Sequence, residues 1–598
     1  MRSGRKSSTF VWCLALLSVL PLLGYSIAAN GPTYQEYAHL SSGFLSSKTG
    51  CFHYFNVNPP LSQFLASLPA VLFGANSFAA PEKMVDMRIE QDAAERFIYA
   101  NPDTHRALLV CGRLLCCSVT LLLFVLALRS LFDEKEPFRG PLSFVLCAAQ
   151  PMIFGFLTII SPDMLGAAAG LCFIAALRKC LKNPSLRGAA LSGLFLGLAL
   201  LSKFTFVVFY PLYPFLWLLC RFRRWSDPKT LGRELFFLLT IFCVSAAVIN
   251  IGYRFEGTGA ELGQYRFRSE LLSGYNDFHD IPRSGANRFH AAVLSCVPMP
   301  FPANFILGID TQRLDFERGM SSYLRGRWSD HGWWYYYLYA LLIKTPPGTI
   351  LLFLLAIFCA IFPKGYNDNW REEMIVLLPG VVLVVFVSSQ TGFSIHSRYI
   401  IPALPFFLVW ISKVFRAFTP EIKARSPLTS RRVRCLAVVF LVWSVASALW
   451  VYPHCLAYFN ELAAIIPTPE DKNYPDPHPR PTAVWQKTRA LLDAGPLNGP
   501  RHLIDSNIDW GQDLFGLERW CKNHPEVKDI KTALYEGYPI EMTAIPSAGP
   551  PRGDTIQPGW YALSVNWLYG DEKHRRFLKY RPAAVIGYTI YVYHIPPQ

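Results

Sequence analysis

The first group in this 598-residue chain placed to do acid–base chemistry is Glu36, seven residues beyond an apolar run (10–29) that holds no Asp, Glu, Lys or Arg. A carboxylate held where a helix leaves a bilayer is partly desolvated, which raises its pKa toward the range a general base uses. His39 follows within one turn, and the loop continues through Asn56-Val57-Asn58-Pro59-Pro60-Leu61, a rigid apolar stretch. Asp163, in the turn Ser161-Pro162-Asp163, is the only acid between Glu136 and Asp227 and is predicted on the same side as Glu36. Two acids at one membrane face can divide base and orienting roles. The bland readings are a solvated Glu at a helix end and an Asp used as a turn residue beside Pro.

The cations form a second set: Arg113 inside the run 107–128, Lys203 just after 188–202, Arg325 and Arg327, Lys344 inside 333–363, and His396-Ser397-Arg398. Ionisable groups within spans are expensive and therefore functional candidates. Cations at a lipid interface suit phosphate, which Arg grips with two parallel hydrogen bonds. Snorkelling to headgroups accounts for Lys203 but fits Arg113 and Lys344 less well, because both have long apolar flanks. The cluster Trp328, Trp333, Trp334, Tyr335, Tyr336 and Tyr337 reads as an interfacial belt before it reads as a sugar platform. No HxxxH, HExxH or CxxC pattern points to a metal. Most of the 15 cysteines lie in apolar runs, while Cys51, Cys296, Cys455 and Cys521 lie in polar regions and are open to pairing.

The elements that must position these residues are membrane spans. Hydrophobic residues make up 52% of the chain and charged ones only 17%, against roughly 25% charged in soluble proteins. That composition excludes disorder, collagen-like repeats and a small disulfide scaffold. Apolar runs recur at 10–29, 107–128, 141–160, 164–177, 188–202, 204–220, 235–252, 333–363, 374–395, 399–412 and 435–453. Most are long enough to cross a hydrocarbon core of ~30 Å, and the pattern predicts a mainly α, polytopic protein of about eleven spans. With a cytoplasmic N-terminus, the inner loops carry 24 Lys/Arg against 9 Asp/Glu, which is the entire net charge of +15. The excess is therefore an orientation signal, and nucleic-acid binding drops out. A cleaved signal peptide ending near Ser26-Ile27-Ala28-Ala29 is the alternative to a retained first span.

Three segments then face outward, about 30–106, 253–332 and 455–598. A membrane domain of 1–464 is expected to precede a small outward-facing α/β domain of 465–598. That domain opens on a Pro-rich linker (Pro467 to Pro481), with strands over His502–Ile508 and Tyr561–Leu568, a helix over Leu514–Asn523, and a closing strand or hairpin over Ala583–His594.

In order along the chain, Glu36 with His39, Asn-Pro-Pro-Leu at 58–61, Asp163, Lys344-Thr345-Pro346 and His396-Ser397-Arg398-Tyr399 followed by Pro402 and Pro405 resemble one family. It is the protein O-mannosyltransferase and aminoarabinose-transferase family, glycosyltransferase family 39 of the C-type fold, and more closely its bacterial RgtA/B/C/D-like branch. Pro300–Phe305 with Gly308-Ile309-Asp310, Tyr452-Pro453-His454, Asp505-Ser506-Asn507 and Asp509-Trp510-Gly511-Gln512-Asp513 are similar to that branch too. The resemblance implies a multi-pass protein of the bacterial inner membrane. It would move a sugar from a polyprenyl-phosphate donor to an acceptor hydroxyl on the outer face, with inversion. Glu36 and Asp163 fall on the family's acids, Arg113, Lys344, His396 and Arg398 on its phosphate contacts, and Gln35, His39 and Asn58 line the site. No cofactor is required, and a divalent metal is left open. Where the family has Asp-Glu, this chain has Gln35-Glu36, and Gln cannot accept a proton at neutral pH. A lipid-linked sugar transporter, a flippase or a non-catalytic binder is the alternative.

Overall fold

The computed structural model describes residues 2–82, 88–132, 136–222, 228–362, 366, 369–420, 422, 427–469, 492–535, 537–553 and 555–597. The chain is mostly helical, with 66% of residues in helix and few strands. Seven helices are long and apolar enough to cross a membrane: Thr9–Ala29, His105–Leu131, Pro162–Lys182, Phe204–Arg221, Thr230–Gly252, Ser397–Phe418 and Pro427–Val451. Two further pairs qualify only when joined across a bend. Arg139–Ala148 turns by 81° into Pro151–Leu157, and Tyr336–Lys344 turns by 110° into Pro347–Ile361. The described residues thus hold seven to nine spans by length, against about eleven expected from the apolar runs. Leu186–Ser202 is apolar but short, and Trp370–Ser388 opens on Arg371, Glu372 and Glu373.

The bend in the expected 333–363 span has a visible cause. Thr345 precedes Pro346 and lies in an extended conformation, because a residue before proline is pushed out of the helical region. Close packing elsewhere relies on small residues. A Cβ built on Gly197 would lie 2.6 Å from Val248 Cβ, and one on Gly193 2.7 Å from the Ile241 carbonyl oxygen, so Leu186–Ser202 packs backbone-close to Pro228–Gly252. Small residues at such a spacing permit helix contact in lipid. At the predicted inner end, Arg139 pairs with Glu136, Arg178 with Glu372, and Lys413 with Glu373. Arg223, Arg224 and the linker prolines Pro475 to Pro481 lie outside the described residues.

The C-terminal region carries a four-stranded sheet in the order Ile530–Ala533, Gly559–Ser564, Ile590–Ile595, Ala584–Ile586. The first pair is parallel and the other two are antiparallel. The helix Leu514–Asn523 and the closing hairpin form where the pattern places them. Two expected strands differ. The residues 502–508 hold a short 3-10 turn at Asp505–Asn507, because Asp505 takes a left-handed φ of 63°. The Tyr561–Leu568 strand stops at Ser564, whose hydroxyl accepts from the Asn566 N–H and starts a helix.

This region is docked onto the spans. Leu503, Ile504, Ile508 and Trp510 sit in the same apolar core as the membrane helices. His454, just after Pro427–Val451, meets Asp513 Oδ1 at 2.7 Å through Nδ1, and Thr589 donates to the other carboxylate oxygen at 2.8 Å. Burial pushes the His454 imidazole down, but the Asp513 charge and hydrogen bond outweigh it and leave the pKa above its ordinary value. A group raised in the folded state stabilises fully below its unfolded pKa of about 6.5, and that stability is lost as pH rises through the folded value. The melting temperature is therefore expected to fall as pH rises from about 6 through the raised value, and His454→Gln is expected to flatten that slope.

Candidate active site

Glu36 starts the helix Glu36–Thr49, and Arg113 projects from His105–Leu131 to meet it. Arg113 Nε donates to Glu36 Oε1 at 2.8 Å, and Nη2 donates to Oε2 at 2.6 Å. The same carboxylate accepts from the Thr33 N–H at 2.8 Å and the Ile160 N–H at 2.8 Å. The remaining Arg113 donors reach the carbonyls of Ile27, Asn30 and Gly31 at 2.7–2.9 Å. Each side chain is only 1% exposed. A carboxylate accepts about four hydrogen bonds, and Glu36 already has four. All four acceptor positions of Glu36 and all five donors of Arg113 are thus taken up by partners within the protein. Together they clasp the end of the first span to the second and to the Ile160 turn.

Lys344 is likewise engaged. Its Nζ donates to the carbonyls of Leu456 at 3.2 Å, Tyr458 at 2.8 Å and Asn507, and lies 4.2 Å over the Phe459 ring. This cage pins the bend at Thr345–Pro346 to the C-terminal region.

A second cluster is differently made. Asp163 opens the helix Pro162–Lys182, where its N–H donates to Ser161 Oγ at 3.2 Å. Its carboxylate pairs with Lys203 at the end of Leu186–Ser202, and the Lys203 ammonium lies 5.0 Å from the centre of the Tyr399 ring. Arg398, at the start of Ser397–Phe418, donates from Nη1 to Gln35 Oε1 at 2.8 Å and stacks 4.7 Å over Trp510. Its Nε is buried with no partner among the described residues, and so is His39 Nδ1. Burial, followed by the charges of Arg398 and Lys203, lowers the His39 imidazole to about 3. His39 is thus a neutral imidazole with an unused ring nitrogen beside two cations. His396 Nδ1 lies 2.8 Å from Ser506 Oγ and 3.0 Å from Asp505 Oδ1. Asn58 stands apart, its carbonyl accepting from Gln63 at 2.8 Å.

Beside the cluster is a cavity of about 210 Å³, lined among others by Phe204, Thr205, Tyr337, Gln390, Phe393 and Tyr399. Tyr399 and Phe204 join it to Lys203. Among the described residues no group of three His, Cys, Asp or Glu side chains is placed to hold a metal, and all the cysteines, including Cys51, Cys296, Cys455 and Cys521, are free thiols. Of the expected site residues, Asp163 is tied to Lys203, Gln35 to Arg398, and Arg398 and His396 lie against the Tyr399 ring, while His39 feels the charges of Arg398 and Lys203; the cavity itself is lined by Tyr399 and Phe204 and by none of these five. Lys203, read as a snorkelling cation, belongs with them. So does Asp505, whose motif was visible but whose position was not.

Residues 103–248, which contain Arg113, Asp163 and Lys203, match the family model described as dolichyl-phosphate-mannose-protein mannosyltransferase. Among solved structures, the chain is similar to ArnT from Cupriavidus metallidurans bound to undecaprenyl phosphate. That pair is 13% identical with a TM-score of 0.45, covering 97% of each chain. An oligosaccharyltransferase from Archaeoglobus fulgidus is 11% identical with a TM-score of 0.42, over 85% of this chain and 64% of that one. No curated protein sequence matches the chain. The matched segment supplies Asp163 and Lys203 of the cluster. Gln35, His39, His396, Arg398 and Asp505 come from outside it.

Proposed function

We propose that the chain transfers a sugar from a polyprenyl-phosphate donor to an acceptor hydroxyl on the extracytoplasmic face of a cell membrane, with inversion at the anomeric carbon. The observation that carries this reading is the Lys203–Arg398 pair of cations beside an apolar-walled cavity at the predicted outer ends of the spans. The lipid phosphate sits between Lys203 Nζ and the unpartnered Arg398 Nε, and the first isoprenes lie against Phe204, Tyr337 and Phe393. His39 Nδ1 hydrogen-bonds the sugar or the bridging oxygen. The acceptor oxygen bonds to the anomeric carbon while the bond from that carbon to the phosphate oxygen breaks. The bonding pair leaves on the phosphate, where the two cations offset the growing charge, and the hydroxyl proton passes to a carboxylate. With Glu36 saturated, that carboxylate is Asp163 or Asp505.

Purified protein incubated with a panel of polyprenyl-phospho-sugars is expected to release polyprenyl phosphate in step with glycosylated acceptor. Movement of intact donor across proteoliposomes, with no glycosidic bond broken, would instead establish the transporter reading.

A further inference from the structure

The turn Ile504–Asn507 belongs to the C-terminal domain but is bolted to the membrane domain at several points. The Asn507 side chain accepts from the Ser397 N–H at 2.8 Å and donates to the Ile395 carbonyl at 2.9 Å and to the Tyr336 hydroxyl at 3.0 Å. Its own carbonyl takes Lys344 Nζ. A few residues on, the Trp510 carbonyl accepts from the Tyr34 N–H at 2.9 Å and the Gln512 carbonyl from the Gly31 N–H at 2.7 Å. The loop after the first span is thereby stitched to the same domain. Between these attachments Asp505 adopts its left-handed φ of 63°, a conformation that a non-glycine residue holds only where its surroundings impose it.

That conformation turns the Asp505 carboxylate toward His396 at 3.0 Å and the Tyr535 hydroxyl at 3.3 Å. Arg398 lies near enough to act on it electrostatically, and Arg398 is the residue that Gln35 engages from the other side. Tyr535 stacks on Tyr34, the neighbour of Gln35, at 5.9 Å. The Asp505 side chain is 29% exposed, against 1% for Glu36 and 2% for Asp163. Of the three carboxylates it alone is open to an incoming hydroxyl.

We propose that the C-terminal domain completes the active site, with Asp505 receiving the proton of the acceptor hydroxyl in place of the acid that Gln35 does not supply. This rests on the transfer reading above. The acceptor oxygen–hydrogen bond breaks toward Asp505 as the new glycosidic bond forms and the polyprenyl phosphate leaves. His396 and Tyr535 orient the carboxylate, while Arg398 stays with the phosphate. Burial acts to raise the Asp505 carboxyl, but His396, the Ser506 N–H and Arg398 outweigh it and hold it below the usual carboxylate range, so it is ionised and ready at neutral pH.

The test compares the full-length unaltered protein with Asp505→Asn, Asp505→Glu, and Asp505→Asn combined with Gln35→Asp. Turnover, undecaprenyl phosphate affinity and melting temperature are measured on each. Asp505→Asn is expected to lower turnover by about a hundredfold or more, with undecaprenyl phosphate affinity and melting temperature held. Asp505→Glu keeps measurable turnover, and the added Gln35→Asp recovers at least tenfold. Asp505→Asn with turnover within twofold of the unaltered protein would overturn the proposal and leave the transfer reading standing. An equal loss of affinity and turnover, unrelieved by Gln35→Asp, would make Asp505 structural and also overturn it. Should Asp505→Asn not fold, Asp505→Ser with added formate takes its place, and no rescue by formate overturns it. If the unaltered protein releases polyprenyl phosphate from no donor, the transfer reading itself fails.

Discussion

Arg113→Met is expected to remove most of the folded protein, not merely its activity. The substitution leaves Glu36 buried at 1% exposure with two backbone N–H partners and no counter-charge, and frees the carbonyls of Ile27, Asn30 and Gly31 in an apolar surround. Breaking one partner of a buried pair costs about 3–5 kcal/mol, a large share of a typical stability of about 5–15 kcal/mol. Arg113→Lys does not repair it, because one ammonium cannot reproduce the two-pronged contact with Glu36 and three carbonyl bonds. The measurement is detergent-extracted yield and melting temperature. A well-folded Arg113→Met protein that has lost only turnover would put Arg113 back among the phosphate contacts.

Arg398→Ala is expected to have the opposite signature. The protein should fold, because Arg398 is held by side-chain hydrogen bonds to Gln35 and Tyr399 and by stacking on Trp510 and Tyr399, with no buried counter-charge left unpaired by its loss. Turnover should fall by about a hundredfold or more, as when a charge-stabilising donor is removed from a reaction centre, together with polyprenyl phosphate affinity. Arg398→Lys should recover part of the affinity, since it keeps the charge but not the planar fork. Donor affinity by titration and turnover by product release separate the two effects. Unchanged affinity in Arg398→Ala would remove the phosphate from this cluster.

The contrast between these two arginines shows what was legible in the sequence. Both stood out as cations beside apolar runs, and both are indeed exceptional. Their roles depend on partners that spacing does not display: Arg113 meets an acid 77 residues away, whereas Arg398 reaches Gln35 across 363 residues. Lys344 was singled out for the same reason, yet its cage comes from carbonyls 112 and 114 residues distant and from Asn507. An expensive charge in a span announces that it must be satisfied, and not by what. The helical membrane architecture was readable because apolar length is a local property. The 110° bend was foreshadowed by Pro346 and Pro347. Asp505 was hidden because residues 502–508 were read as a strand, while tertiary contacts from Asn507 and Asn566 impose a turn.

The most direct test of the central claim is a structure of the full-length protein with undecaprenyl phosphate bound. The phosphate is expected within hydrogen-bond distance of Lys203 Nζ and Arg398, with the chain running into the cavity beside Phe204, Tyr337 and Tyr399. A phosphate seated instead against Arg113 or Lys344 would contradict it.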